Sequence, residues 1–168
     1  MLFIPLSSFS QNLKRIIDIA DSLYNSGNFF ASSYYYNHAV SLAPNYSEIK
    51  FKYAEACRQK YNYTEALKTY IEIVNIADKH PEIYFNMAMI YKMSGNYTEA
   101  LKNFNLYKEA GKEKKNLQIA ENEILICNKL LKSEKHSSEK ESEVKLSDLN
   151  SQFAHYGAWQ ISDSLWFY

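Results

Sequence analysis

Asn62-Tyr63-Thr64-Glu65-Ala66-Leu67-Lys68 recurs letter for letter as Asn96-Tyr97-Thr98-Glu99-Ala100-Leu101-Lys102, an offset of 34 residues. Stepping by that offset aligns Ala20, Ala54 and Ala88, then Phe29, Tyr63 and Tyr97, then Ser32, Ala66 and Ala100, then Tyr36, Tyr70 and Phe104. Gly27 and Gly95 also match, and Tyr61 stands between them. Seven identities in register with several further columns mark an internal repeat, and a fixed period of this size is the signature of a stacked array. Three units follow, at 13–46, 47–80 and 81–114.

Each unit reads as two helices. In the second, Ile49, Tyr53, Ala54 and Cys57 recur at three-to-four spacing, which places them on one helical face. Tyr63, Ala66, Leu67, Tyr70, Ile71 and Val74 repeat the pattern after a short turn. Ala54 and Ala66 let two antiparallel helices approach closely, and the rings of Tyr63 and Tyr70 fill the space on either side. Gly27 and Gly95 fall where a first helix ends and a left-handed residue is cheapest. Pro44 and Pro81 fall between units, where no helical amide is needed.

These columns resemble tetratricopeptide (TPR) repeats. Unit one carries the family's small, glycine, aromatic and proline positions as Ala20, Gly27, Phe29, Ser32, Tyr36, Ala39 and Pro44. Unit two keeps Ala54, Tyr63, Ala66 and Tyr70 but departs at Tyr61, Ile73 and Asp78. Unit three keeps Ala88, Gly95, Tyr97, Ala100 and Phe104 and departs at Tyr107 and Lys112. The resemblance spans 102 of the 168 residues. It implies an all-α fold, an α-solenoid of three helix-turn-helix units. After them, 115–132 continues helically, with Leu117, Ala120, Ile124, Cys127 and Leu131 on one stripe. That is the expected capping helix, because the last repeat of a solenoid otherwise leaves an apolar face without a successor.

Composition narrows the function. Lys+Arg and Asp+Glu both number 19, so the net charge is zero, which argues against nucleic acid and against a polybasic membrane-surface role. Four glycines and three prolines are few for an all-β domain, and 15 tyrosines suit repeated helix packing, where each ring buries a face and keeps its hydroxyl near water. No run of 18 apolar residues exists, so no membrane-spanning segment is expected.

The two ends differ from the middle. Residues 133–145 are rich in Ser, Glu and Lys and read as a disordered, charge-balanced linker. Residues 146–168 are rich in aromatics and β-prone: Trp159-Gln160-Ile161, Ser162-Asp163-Ser164 and Leu165-Trp166-Phe167-Tyr168 read as strand, turn, strand. The stretch from Asn150 to Gly157 followed by that hairpin resembles the opening of a TolB-type (PD40) propeller blade. In some envelope proteins of Bacteroidota, such a propeller follows a short TPR array and precedes an OmpA-like domain. The bland reading is an aromatic tail folded back on the solenoid. At the other end, residues 1–12 resemble a signal-peptide remnant, apolar from Met1 to Leu6 with small residues at Ser8 and Ser10. The resemblance implies an exported, periplasmic or outer-membrane-associated protein and participation in envelope assembly. The alternatives are a cytoplasmic TPR adaptor, or a self-assembling factor whose tail enters a neighbour's groove.

Catalytic chemistry is not expected. His38, His80, His136 and His155 lack metal-ligand spacing, and no cofactor motif occurs. Cys57 and Cys127 fall on apolar stripes and read as small core residues. Glu65 and Glu99 recur with the repeat, as early-helix acids that favour the macrodipole. The Asn-Tyr-Ser/Thr triplets at Asn45, Asn62 and Asn96 match glycosylation acceptors, but the last two are the repeat's own turn.

In TPR proteins the first helices line a concave groove that takes a protein or peptide ligand. Carrying those columns over gives Ile17, Phe51 and Phe85, then Asp21, Glu55 and Met89, then Tyr24 with Asn25, Arg58 with Gln59 and Lys92 with Met93. Aromatics and acids replace the Lys and Asn of a chaperone-type carboxylate clamp. The expected ligand is therefore an amphipathic helix or extended peptide on an apolar strip with charged flanks. Phe51 and Phe85 would instead be core if the helices rotate by one position.

Overall fold

The computed structural model describes residues 6–141, 159–162 and 165–167, with side chains placed for 10–133. Among the described residues there are seven α-helices: α1 Leu6–Asn25, α2 Phe29–Leu42, α3 Ser47–Gln59, α4 Tyr63–Glu72, α5 Glu82–Met93, α6 Tyr97–Ala110 and α7 Lys114–Glu141. Consecutive helices from α1 to α4 pack on one another, as do α5 and α6. The result is three antiparallel pairs followed by a single helix, the fold expected from the repeat.

The sequence explains where each pair begins and turns. Asn28, Asn62 and Asn96 are the N-caps of α2, α4 and α6, and their side chains accept from the amides of Ala31, Glu65 and Glu99 at 3.2, 3.4 and 3.2 Å. The repeated asparagine is thus a capping residue, satisfying one of the amides a helix start leaves unpaired. Gly27 and Gly95 take φ of +81° and +77°, and Tyr61 takes φ of +64° at the same step of the repeat. A tyrosine in the left-handed region is strained where glycine is not.

The small columns are fully buried: Ala20, Ala54, Ala88, Ser32, Ala66 and Ala100 each expose no surface. Tyr70 and Phe104 fill the space between pairs and are fully buried too. Cys57 and Cys127 are buried free thiols, and burial pushes both up from the usual thiol range. In α7, Ala120 and Cys127 join the core built on Ala88, Ala100 and Phe104, with Leu117 and Ile124 packed against it. The cap does what its apolar stripe predicts.

Two expectations need correction. The face of α4 does not run through Ile71 and Val74, which are exposed; Thr69, Tyr70, Ile73 and Ala77 are buried instead. The buried stripe runs through Ala66, Tyr70, Ile73 and Ala77 at three-to-four spacing, across the end of α4 at Glu72 and the 3-10 turn over Val74–Ile76, so Ile71 and Val74 each stand one residue, about 100°, off that face. Second, α7 runs to Glu141, through much of the segment expected as a disordered linker. No glycine or proline stands between Gly111 and Gly157 to stop it, and Lys and Glu are good helix formers. The remaining linker positions, 142–145, lie outside the described residues. At the other end α1 begins at Leu6, so residues 6–12 of the stretch that resembles a leader remnant are helical. Residues 1–5 lie outside the described residues.

The chain divides into two compact units, one ending at Asn128 and one beginning at Lys129. In the second, β1 Trp159–Ser162 pairs antiparallel with β2 Leu165–Phe167, Trp159 opposite Phe167 and Gln160 opposite Trp166, with an irregularity between Gln160 and Ser162. This is the hairpin the tail sequence predicts. Asn150 to Gly157, which carries the propeller resemblance, lies outside the described residues.

Candidate functional site

The first helices bring part of the expected strip together. Asp21, Tyr24 and Asn25 from α1, Tyr36 from α2, Phe51, Lys52 and Glu55 from α3 and Glu82 from α5 line an open groove of about 470 Å³. Five of these, Asp21, Tyr24, Asn25, Phe51 and Glu55, are among the expected site residues. The groove is mainly apolar in lining because Tyr24, Tyr36 and Phe51 present ring surface, while charged groups edge it.

Those charged groups are held in a repeating arrangement. Both oxygens of Asp21 accept from Lys52 Nζ, at 2.8 and 2.7 Å, and Oδ1 also accepts from the Tyr36 hydroxyl. One repeat further on, Glu55 Oε1 accepts from the Tyr70 hydroxyl and from Asn86 Nδ2 at 2.6 Å. Glu55 Oε2 accepts from Arg58 Nη2 at 2.8 Å, and Asn86 also reaches the Tyr70 oxygen at 3.3 Å. Burial pushes the Tyr70 and Tyr36 phenols up, and the adjacent carboxylate adds to it in both cases, so both stay protonated donors. Burial opposes the charge on Arg58, but its bonds to Glu55 outweigh that and raise it further.

Stepped by 34 residues, Asp21, Tyr36 and Lys52 become Glu55, Tyr70 and Asn86, and then Met89, Phe104 and Ala120. The three positions change character together: two acid–tyrosine–donor sets are followed by one that is entirely apolar. An isolated acid beside Phe104 and Ala120 would lack its donors, and buried polar groups persist only with partners. Lys52, Tyr36, Tyr70 and Asn86 were missed as site partners by sequence reasoning. The signal that finds them is this joint change of three columns, read across neighbouring units.

The remaining expected residues lie elsewhere on the same helices. Phe85 packs on Phe104 and Tyr107, ring centroids 6.0 and 5.1 Å apart, and with Met89 it leans on the core shared with α7. Ile17 packs against Ile16, Ala39 and Ile49. Lys92 donates to Glu123 of α7, and Met93 is exposed. The unit-three end is therefore apolar and packed, and the open groove belongs to units one and two and the start of α5. Among the described residues no cluster of three metal-ligating side chains occurs, and no helix is long and apolar enough to cross a membrane.

No protein-family model matches the chain, and no curated protein matches it by sequence. Solved structures do. The type III secretion chaperone SycD of Yersinia enterocolitica, in complex with a peptide of the translocator YopD, superposes with a TM-score of 0.61 at 18% identity, over 70% of this chain and 93% of that one. PcrH from Pseudomonas aeruginosa gives 0.59 at 13% identity, over 70% and 92%. The TPR domain of P58(IPK) gives 0.62 at 15% identity, over 76% of this chain and 36% of that one. The fold is that of the TPR solenoids.

Proposed function

We propose that the chain is a non-catalytic scaffold that holds a peptide or helix of a partner protein in the groove between its first helices. The observation that carries this is the groove itself, about 470 Å³, open to solvent and lined by three aromatic rings with fixed polar groups around them. Apolar clefts with a few positioned polar groups are the usual form of a binding site. Support comes also from the same fold in SycD, solved with a translocator peptide, and in PcrH, solved with the chaperone-binding region of PopD.

The deciding experiment blocks the mouth without touching the core. Asn25 is exposed at the C-terminal end of α1 and lines the groove, so Asn25→Trp should fill it. Peptides selected by phage display on the native protein should lose at least about tenfold in affinity for N25W, roughly 1.4 kcal/mol, with the melting temperature unchanged. Unaltered binding would move the site elsewhere.

A finer reading places this scaffold in an exported cell-envelope protein. What supports it is the sequence of the first ten residues and the aromatic tail with its β1–β2 hairpin. Fractionation of the native host followed by immunodetection tests it, and recovery from the cytoplasm alone would favour the adaptor reading.

A further inference from the structure

His80 joins units two and three through both of its ring nitrogens. Nε2 lies 2.7 Å from Glu48 Oε2 on α3, and Nδ1 lies 3.1 Å from Glu82 Oε1 on α5. Its ring is stacked on Phe51, centroids 4.3 Å apart at 25°. A neutral imidazole carries one N–H and one lone pair, so it can donate to only one of two carboxylates. Satisfying both requires the imidazolium. The carboxylates lie against opposite nitrogens, so they do not converge on a point as metal ligands would. Phe51 and Glu82, which His80 holds, are also walls of the groove.

We propose that His80 is a proton-linked clasp that sets the shape of the groove, closed when the ring is doubly protonated and released when it is not. This rests on the groove being the binding site only for its consequence; the clasp itself is read without a ligand. The charged groups acting on His80 are Glu48 from α3 and Glu82 from α5, with Asp78 and Lys79 preceding it in its own segment. Its carbonyl accepts from Ile83 N at 3.0 Å, so it sits at the start of α5, where the helix dipole disfavours a cation. Partial burial also opposes protonation, yet the hydrogen bonds to Glu82 and Glu48 outweigh it and hold the ring above its ordinary 6.5. The imidazolium gains further from the face of Phe51.

A raised folded-state pKa fixes the direction. The clasp is complete below the ordinary histidine pKa and is lost as pH rises through the value in the folded protein. Losing it leaves one of the two carboxylates without a donor, which breaks the link between α3 and α5, and removes the charge stacked on Phe51. Partly exposed pairs of this kind carry about a two- to fivefold effect on an equilibrium.

The test uses the full chain without ligand. Nitrogen-15 imidazole spectra, with His80 assigned by its loss in His80→Gln, give its pKa and proton occupancy. Hydrogen exchange of the α5 amides from Glu82 to Phe85 reports the junction. We expect titration above 6.5, with exchange at the start of α5 rising about two- to fivefold across it, after correction for intrinsic rates. H80Q should show the faster exchange at all pH values. If H80Q does not fold, Glu48→Gln serves, and it should lower the His80 pKa toward 6.5. A pKa at or below 6.5 overturns the clasp, and so does a titration that leaves α5 exchange unchanged. Failure of peptides to bind would instead count against the groove, whatever His80 does.

Discussion

Replacing Glu55 with Met copies into the second unit the residue that the third carries as Met89. The substitution removes a carboxylate that accepts from Tyr70, Asn86 and Arg58. Tyr70 exposes no surface, so its hydroxyl cannot turn to water, and an orphaned buried donor costs about 1–3 kcal/mol. Asn86 keeps the Tyr70 oxygen within 3.3 Å, and Arg58 has a side chain 29% exposed, so both recover part of their loss. A total near 3 kcal/mol follows, or a fall in melting temperature of roughly 6–12 °C for a chain of this length. The companion changes Tyr70→Phe and Asn86→Ala each remove one of the three donors to Glu55 when made alone, at about 1–2 kcal/mol apiece. Made together with Glu55→Met, they rebuild the apolar set of Met89, Phe104 and Ala120, and only Arg58, whose side chain is 29% exposed, is left without its partner. The triple variant should therefore be about as stable as the milder single variants, far above the sum of the three. Urea titrations followed by circular dichroism measure the native chain and the four variants. Additivity within about 0.5 kcal/mol would mean the three columns are independent, and the argument from their joint change would fail.

Three further outcomes follow from the turns and the core. Gly95→Ala should cost about 1–2 kcal/mol from its left-handed backbone alone, since a Cβ there meets nothing within 4 Å. Gly95→Tyr should cost about the same in thermal melts, because Tyr61 already shows a ring accommodated at that step; a much larger loss would point to a clash. Asn96→Ala should lower stability by about 1 kcal/mol, and Asn62→Ala by less, because its capping bond is longer, 3.4 against 3.2 Å. Equal losses would remove bond length as the cause. Cys57 and Cys127 should resist a thiol reagent in the native protein at pH 8 and react together on unfolding in guanidinium, since both are buried and held as thiols. Fast native labelling of either would contradict the packing described.

Much of the fold was legible because repetition supplies its own control. A buried alanine such as Ala54 looks ordinary once, but three at a fixed spacing identify the close contact between helices. What the sequence concealed has physical reasons. Ile71 and Val74 continue a three-to-four spacing from Leu67, and spacing alone does not tell that stripe from the neighbouring one through Ala66, Tyr70, Ile73 and Ala77 that is buried. The length of α7 was misjudged because charge balance says little about a segment that also lacks a stop residue. In the site, the columns gave Asp21, Tyr24, Phe51 and Glu55 but not their partners. Lys52 and Asn86 belong to the following unit, so their role emerges only when three units are compared. His80 was set aside because it has no ligand spacing along the chain. Its partners are Glu82, two residues away, and Glu48, thirty-two residues away.

The identical heptapeptides at 62–68 and 96–102 also bear on how such a chain can change its number of repeats. Similar coding stretches invite unequal recombination, and one crossover between these two would excise 34 residues and join α3 directly to α6. The joint itself would be silent, since the seven residues are the same on either side. The product would nevertheless set Glu55 against Phe104 and Ala120, a carboxylate stripped of its tyrosine and amide donors. Repeat units that look interchangeable at their turns are thus keyed at their interfaces, and the key makes loss of α4 and α5 a destabilising event. Copy number in this array is protected by chemistry some distance from the place where the genetic exchange would occur.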